Sequence, residues 1–460
     1  MKIYFNGAAH DVTGSQYVLY VDGRSLMIDC GLYQGPDAYE RNVEFHFDPH
    51  RLDALILTHA HIDHSGNLPN LVKSGFDGPI YTTPATADLA DIMLRDSGNI
   101  QEDDASFLSK KFSQPYEPLY TAADAARVKR QFRPQEYKQT FQPIPGVTAR
   151  LYDAGHILGS ASVCLDVQED GREPYRIWFS GDIGRLNLPL LKDPVLPQNA
   201  NYLVMECTYG DQAHPEPDEA YTLLRDLIRR TIERGGKVII PAFAVGRTQE
   251  LIYNLNRMIS ANEIPAVPVY VDSPLAVNAT QVFQEHPELF DKETQDFIRE
   301  GRHPALNFKG LTYVESVAES KSINYIDRPA IIISASGMLQ SGRILHHLRH
   351  NIGDPRNTIL IVGWQAPDTL GRDLVNGVKE VTIYGDRYDV QAEVIQINGF
   401  SAHAGQDMLL QYALASKKDL RKVMLVHGEP DVAEKFAKLL KDAGIPEVIY
   451  PALREAVEIP

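Results

Sequence analysis

The sequence predicts an α/β protein in which a β-rich domain is interrupted by an inserted α/β domain of mostly parallel sheet. Three observations carry this. The first half is a run of short β-branched strands, many ending in Gly or Asp, where a chain turns sharply. Near Gly210 amphipathic helices begin to alternate with apolar strands, the pattern of βαβ units. Around residue 390 the short-strand texture returns. The predicted boundaries are 1–208 and 392–460 for the two parts of the β-rich domain and 209–391 for the insert, a normal domain size. At 460 residues the chain is too long for one ordinary core.

In chain order, the strands of the first part are KIYFNG, QYVLYVDG, RSLMIDCG, ALILTHA and GPIYTT, then VTARLYDAG, ASVCLDVQ, YRIWFSGD and YLVMECTYG. The clearest helical pattern among them is TADLADIMLRDSGNIQ. After Tyr209 the loop GDQAHPEPDE is rich in proline and acid, as inter-domain crossings are. The insert reads EAYTLLRDLIRRTIERGG as helix, KVIIPAF as strand, TQELIYNLNRMIS as helix and VPVYVDSP as strand. Then come PAIIISAS and NTILIVGW as strands, with RILHHLRHN as the helix between them. The return carries AEVIQING and VMLVHG as strands, with short helices between.

Composition narrows the function. The start, MKIYFNGAAHDVTGS, lacks the basic and apolar regions of a signal peptide, and no apolar stretch approaches a membrane span, so the expectation is a cytoplasmic protein with no membrane contact. Cys30, Cys164 and Cys207 are too few and too scattered for a disulfide framework or a cysteine-based zinc site. The net charge is −16, from 45 basic and 61 acidic residues. That balance argues against a broad nucleic-acid footprint. A site for a polyanion must therefore be local, made by metal ions and a few placed arginines.

The strongest signal is His59-Ala-His61-Ile-Asp63-His64, directly after the strand ALILT. In extended chain alternate residues point the same way, so His59, His61 and Asp63 converge. His64 breaks the alternation and faces a neighbouring point where a helix starts. Imidazole and carboxylate without thiolate suit zinc, with manganese or iron as alternatives. His156 in DAGHILGS, Asp182 in WFSGDIG and His427 in VMLVHGE also follow strands and are flanked by glycine. Together they complete two coordination shells: His59, His61 and His156 for one Zn2+, Asp63, His64 and His427 for the other, and Asp182 bridging. Such a pair, ~3.5–4 Å apart, holds a hydroxide at neutral pH and clamps phosphoryl oxygens. Two divalent ions also outweigh the two aspartates and the hydroxide, leaving a net positive centre inside an acidic protein.

HAHIDHSG, GHILGS, SGDIG and VHGE resemble the metal motifs of the metallo-β-lactamase fold, as do GAAHDVTGS and MIDCGLYQG. The insert resembles the β-CASP nucleases through PAFAVGRTQE, VDSPLA, ISASGMLQSGR, GWQAPDTLGR and NGFSAHA. The resemblance spans nearly the whole chain and implies an αββα sandwich with the β-CASP domain inserted. It is similar to the cleavage-and-polyadenylation endonuclease family in a compact bacterial form, without extra KH modules or a long C-terminal extension. Glu206 in MECTYG, His403 in FSAHAG and His427 match three further motifs of that group, and histidine at the last goes with RNA-processing members. Pro367-Asp368 in GWQAPDTLGR depart from the pattern.

The expectation is therefore a zinc-dependent ribonuclease acting on single-stranded RNA through a metal-bound hydroxide and leaving a 5′-phosphate and a 3′-hydroxyl. Endonuclease and 5′-exonuclease action both stay open, as does a homodimer. Asp63, Glu206 and His403 form the expected catalytic set, with His403 giving the proton that a departing ribose oxygen needs and Glu206 orienting it. For the substrate, Ser334, Ser336, Gly337 and Met338 form a strand-to-helix turn suited to phosphate. Arg343, Arg247 and Arg372 lie at helix starts, where a cation opposes the dipole, so an RNA-backbone cradle is the reading. His346, His347 and His350 read as one face of a surface helix. The alternatives are a hydrolase of a small phosphodiester or ester, which the acidic charge favours, and an RNA-binding scaffold, which the intact ligand set disfavours.

Overall fold

A computed structural model describes residues 1–35, 37–300, 304–366 and 368–459, so Pro367 lies outside the described residues. It divides into two compact units. One comprises Met1–Leu186, Asp193–Ala213 and the chain from His403 onward; the other comprises Asn187–Lys192 and His214–Ala402.

Among the described residues, the first unit holds two seven-stranded mixed sheets. One runs, edge to edge, through Ala456–Glu458, Lys2–Phe5, Tyr17–Val21, Arg24–Ile28, Ala54–Ile56, Ile80–Thr82 and Phe132–Pro134. The other runs through Val448–Ile449, Lys422–Val426, Tyr202–Glu206, Tyr175–Phe179, Ala161–Val167, Val147–Asp153 and Phe141–Ile144. Side chains alternate across a strand. Leu26 and Ile28 therefore join Leu151, Val163, Ile177 and Val204 in the core between the sheets, while Met27 is buried on the opposite face. On the far side of the second sheet, Trp178, Leu203, Met205 and Leu425 meet Tyr412 of helix Gln406–Leu414 and Phe436 of helix Pro430–Asp442. Helices Leu68–Lys73 and Pro84–Phe112 both pack on Ala122–Val128, and Pro84–Phe112 contacts the first sheet at Phe132–Pro134. The sequence pattern caught only the first part of that long helix; Thr83 caps it by accepting from the Thr86 N–H.

The second unit is built on a six-stranded sheet in the order Leu311–Tyr313, Val269–Val271, Ile331–Ser334, Val238–Pro241, Thr358–Val362 and Glu393–Ile397, every pair parallel. The chain leaves Val238–Pro241 toward one edge and Ile331–Ser334 toward the other. A crevice for ligands forms where such neighbours part at their carboxyl ends. The loops there carry PAFAVGRTQE and SASGMLQSGR.

Both predicted boundaries move: the insert's unit starts at His214 rather than 209 and also takes in Asn187–Lys192, and its end shifts further. The sequence reading returns to the first domain at 392, but Glu393–Ile397 pairs residue for residue with Thr358–Val362 and so belongs to the insert's sheet. Its half-buried pattern is that of an edge strand, which in sequence resembles the short strands of the first unit. The return comes at His403.

Candidate metal centre

Four loops at the ends of strands Ala54–Ile56, Val147–Asp153, Tyr175–Phe179 and Lys422–Val426 of the first unit bring the predicted ligands together. The extended alternation of His59 and His61 ends where helix Ile62–Ser65 begins, with His61 as its N-cap. Asp63 is therefore turned away from His59 and His61 and joins His64. Ligand atoms of His59, His61, His156 and Asp182 lie within 4.8 Å of one another, and so do those of Asp63, His64 and His427. Asp182 stands between the groups. Its Oδ2 is 3.4 Å from His59 Nε2 and 3.5 Å from His156 Nε2; its Oδ1 is 3.2 Å from His64 Nε2 and 3.9 Å from His427 Nε2.

The loops are tied to their neighbours by backbone bonds. The carbonyls of Ile62, Asp63 and His64 accept from the N–H groups of Leu32, Ser15 and Cys30. Gly31 is required at that crossing, because a side chain there would meet the Asp63 carbonyl oxygen at 1.7 Å. The loops of Asp182, His156 and His403 are joined through Gly184 N–H to Ala154 O at 2.7 Å and Ala404 N–H to Ile183 O at 2.8 Å.

The other ring nitrogens of His64, His59 and His427 have partners of the kind that orient metal ligands. His64 Nδ1–H donates to Asp29 Oδ2 at 2.7 Å. Asp29 also accepts from the Thr58 N–H and hydroxyl, and Thr58 Oγ1 is 3.1 Å from His59 Nδ1. Thr208 Oγ1 is 3.0 Å from His427 Nδ1. Asp29, Thr58 and Thr208 were not singled out in sequence, although MIDCG and ECTYG contain two of them. Asp29 and Thr208 each act through a histidine far from them along the chain, and Thr58 acts on its neighbour His59 while also bonding the distant Asp29.

Burial drives the His61 imidazole down to about 3 and lowers His59 and His156, so all three are neutral, the form that binds metal. Burial alone would raise Asp182 and Asp63, but the surrounding histidines outweigh it and keep both ionised. Burial would likewise lower His64 and His427, yet Asp182 with Asp29 and Asp63 holds them up. A field that retains protons on imidazoles is one that cations would replace. Among the described residues, His59 Nε2 and Asp182 Oδ1 are buried with no hydrogen-bond partner. Orphaned polar atoms at this depth are costly unless something fills their valence. The donor set fits metal cations.

Glu206 and His403 lie beside the cluster. Glu206 is fully buried; its Oε1 accepts from Ile183 N–H at 2.6 Å, and its two oxygens are 3.2 and 3.3 Å from His403 Nδ1. His403 Nε2 then points toward Asp182, 3.9 Å away. Burial opposes the charge on His403, but Glu206 and Asp182 prevail and hold it up to about 9.

The residues expected to grip RNA fare differently. Ser334 is buried and donates to the Asp272 carbonyl. Ser336 Oγ accepts from Gln340 and Ser341 N–H groups within its own turn, whose Gly337 packs on the Phe243 ring, with Met338 half-buried beside it. Arg343 is engaged by the Asp272 carboxylate at 2.7 Å and the carbonyls of Val314 and Glu315. Arg247 pairs with Glu250 at 2.6 Å, and the Arg372 guanidinium lies 5.5 Å from the Trp364 ring centroid. Arg343 is thus explained by a buried internal partner, which sequence could not reveal. His347 is also corrected: it is fully buried, with Nε2 2.6 Å from Asp272 Oδ2 and Nδ1 2.8 Å from Asn324 Oδ1, while His346 and His350 do lie on the exposed face.

Residues 11–135 match the metallo-β-lactamase superfamily, 248–374 the β-CASP domain, and 387–451 the Zn-dependent metallo-hydrolase RNA specificity domain. The chain belongs to the β-CASP group of metallo-β-lactamase-fold RNA-processing nucleases. It is 36% identical over 440 residues to the protein named Ribonuclease TTHA0252 of Thermus thermophilus, covering 96% of each chain. It is 32% identical over 474 residues to Transcription termination factor FttA of Methanocaldococcus jannaschii, covering 100% of this chain and 72% of that one. A crystal structure of a protein of unknown function from Enterococcus faecalis shares the fold, with a TM-score of 0.57, 12% identity and 99% of both chains covered. No helix among the described residues is long and apolar enough to cross a membrane.

Proposed function

We propose that this protein is a metal-dependent ribonuclease that hydrolyses phosphodiester bonds of single-stranded RNA with two zinc ions. The carrying observation is Asp182, whose two carboxylate oxygens face two separate ligand groups, one of imidazoles and one of Asp63, His64 and His427. His59, His61 and His156 would hold one ion and Asp63, His64 and His427 the other, sharing Asp182. When bound, two such ions supply a nucleophile at neutral pH and offset the charge of the phosphate. The chain's own part is to fix the ligands through Asp29, Thr58 and Thr208, and to keep a proton at His403 Nε2 while Glu206 holds Nδ1–H. That proton would go to the departing ribose 3′-oxygen, a poor leaving group as an alkoxide. The relatives named as a ribonuclease and as a transcription termination factor support RNA as the substrate.

The test is incubation of zinc-loaded protein with labelled single-stranded RNA, DNA of the same sequence and a small phosphate bis-ester. RNA should be cut much faster than DNA, leaving a 5′-phosphate and a 3′-hydroxyl. A 2′,3′-cyclic phosphate would mean that the ribose hydroxyl attacks, and preference for the bis-ester would make this a small-molecule hydrolase.

A further inference from the structure

The second unit carries a row of aromatic rings on the exposed face of helix Arg343–Asn351. His346 and His350, one turn apart, both face outward. The Tyr384 ring lies 4.9 Å from His346, with its hydroxyl 3.2 Å from His346 Nε2. At the other end the Tyr325 ring lies 6.1 Å from His350. Tyr325 is 80% exposed and Tyr384 55%, far more than a packed tyrosine needs. The row spans roughly 15 Å, given helical neighbours about 5–6 Å apart.

Cations flank the row within an acidic protein. Burial and then the charges of Arg349 and Lys321 push His346 down, with only Asp272 opposing among the leading influences. At His350 burial is followed by Arg349, His347, His346 and Lys237, all lowering. Beyond Tyr325 and His350 a cavity of about 200 Å³ opens, lined by Lys237, Arg328 and Arg356 with the acids Asp327 and Asp354. Arg356 and Asp354 occupy one another through contacts of 2.7 to 3.2 Å, so the cations the cavity offers a ligand are Lys237 and Arg328, beside Asp327. None of these residues belongs to the metal cluster.

We propose that Tyr325, His350, His346 and Tyr384 form a second RNA-binding surface, a stacking platform for bases of a single strand whose backbone is drawn by Arg349, Lys321 and the cations of the adjoining cavity. The inference rests on the ribonuclease reading for its ligand. Exposed aromatic rings interleaved with cations, and little that reads base edges, are how single strands are held without sequence preference. A protein partner is less well served, because two of the four rings are imidazoles and cations flank the row, so it makes no apolar patch.

The test compares wild type with Tyr325→Ala/Tyr384→Ala on two substrates, an RNA too short to extend beyond the cleavage site and a long unstructured RNA. For the long RNA the KM should rise about tenfold or more, since each stacked base contributes on that scale. Its kcat should hold, and the short RNA should be cut as before. Tyr325→Phe/Tyr384→Phe should restore the long-RNA KM, because the ring and not the hydroxyl does the stacking. Arg328→Ala should reduce the salt dependence of long-RNA binding by about one unit of slope. An unchanged long-RNA KM in the folded double variant would overturn the proposal and leave the surface to a protein. Equal losses on both substrates would overturn it too, as damage to the cleavage site. A wild type that cuts neither RNA would instead overturn the ribonuclease reading; crosslinking of 4-thiouridine RNA to Tyr325 or Tyr384 would then still test the surface alone.

Discussion

Asp29 shows how much a single unremarkable carboxylate decides. It accepts from His64, from the Thr58 hydroxyl and from the Thr58 N–H, and so sets the tautomer of one metal-site histidine and the backbone before another. Partners of this kind are worth about 10–100-fold in metal affinity or activity. Asp29→Ala should weaken metal binding on that scale, read by competition against a chromophoric chelator; unaltered affinity would reduce Asp29 to a packing residue. His403 makes the second test at this scale. His403→Ala should cost about 10²–10⁴-fold on RNA, the range of a positioned acid. It should cost far less on a p-nitrophenyl phosphodiester, whose leaving group needs no proton. Both metals should remain. Equal losses on the two substrates would show that His403 supports the centre instead of donating to the leaving group.

At the scale of elements, the insert is locked by one buried acid at the end of strand Val269–Val271. Asp272 receives Arg343 and His347 from helix Arg343–Asn351 and Ser320 from helix Val317–Ile323, at 2.7, 2.6 and 2.6 Å. Burial would raise its carboxyl, but the hydrogen bonds from His347, Ser320 and Arg343 outweigh that and lower it. Removing one partner of a buried charged pair costs roughly 3–5 kcal/mol, because the other is left uncompensated. Asp272→Asn should destabilise the protein on that scale at neutral pH, measured by denaturant unfolding. The folded carboxyl is depressed, so its contribution is complete above the unfolded value of about 3.9 and is lost as the pH falls through the folded one. The gap between wild type and variant should therefore hold near pH 7 and close in strong acid. A gap that did not change with pH would assign the loss to shape and not to charge.

For the whole molecule, the dominant problem is charge. The chain carries −16, and the first unit buries Asp29, Asp182 and Glu206 almost completely within a few residues' reach of one another. Cations that bind only the folded state stabilise it by mass action. Elemental analysis after zinc loading should find two ions per chain. Chelation should lower the Tm, Asp182→Ala should lose both ions, and His427→Ala should lose one. One ion or none in the loaded wild type would sink the two-metal reading.

What the sequence by itself determined is the part of the protein that is local or chemically rare. His59, His61 and His64 are clustered within six residues, and strand-to-helix alternation marks the insert, so both can be read without coordinates. Histidine and aspartate beside glycine after a strand marked His156, Asp182 and His427 as well, and the structure brings them to the same point. The tertiary structure decided what depends on pairing across distance. It turned Asp63 away from His59 and His61, with which strand alternation alone would group it, because a helix begins one residue before it. It gave Glu393–Ile397 to the insert, because register with Thr358–Val362 is a matter of hydrogen bonds that no hydropathy pattern reports. It turned Arg343 and His347 inward to Asp272, some seventy residues earlier in the chain. A charged side chain declares its sign in sequence, but whether it is spent on an internal partner or offered to a ligand is settled only by the fold that surrounds it.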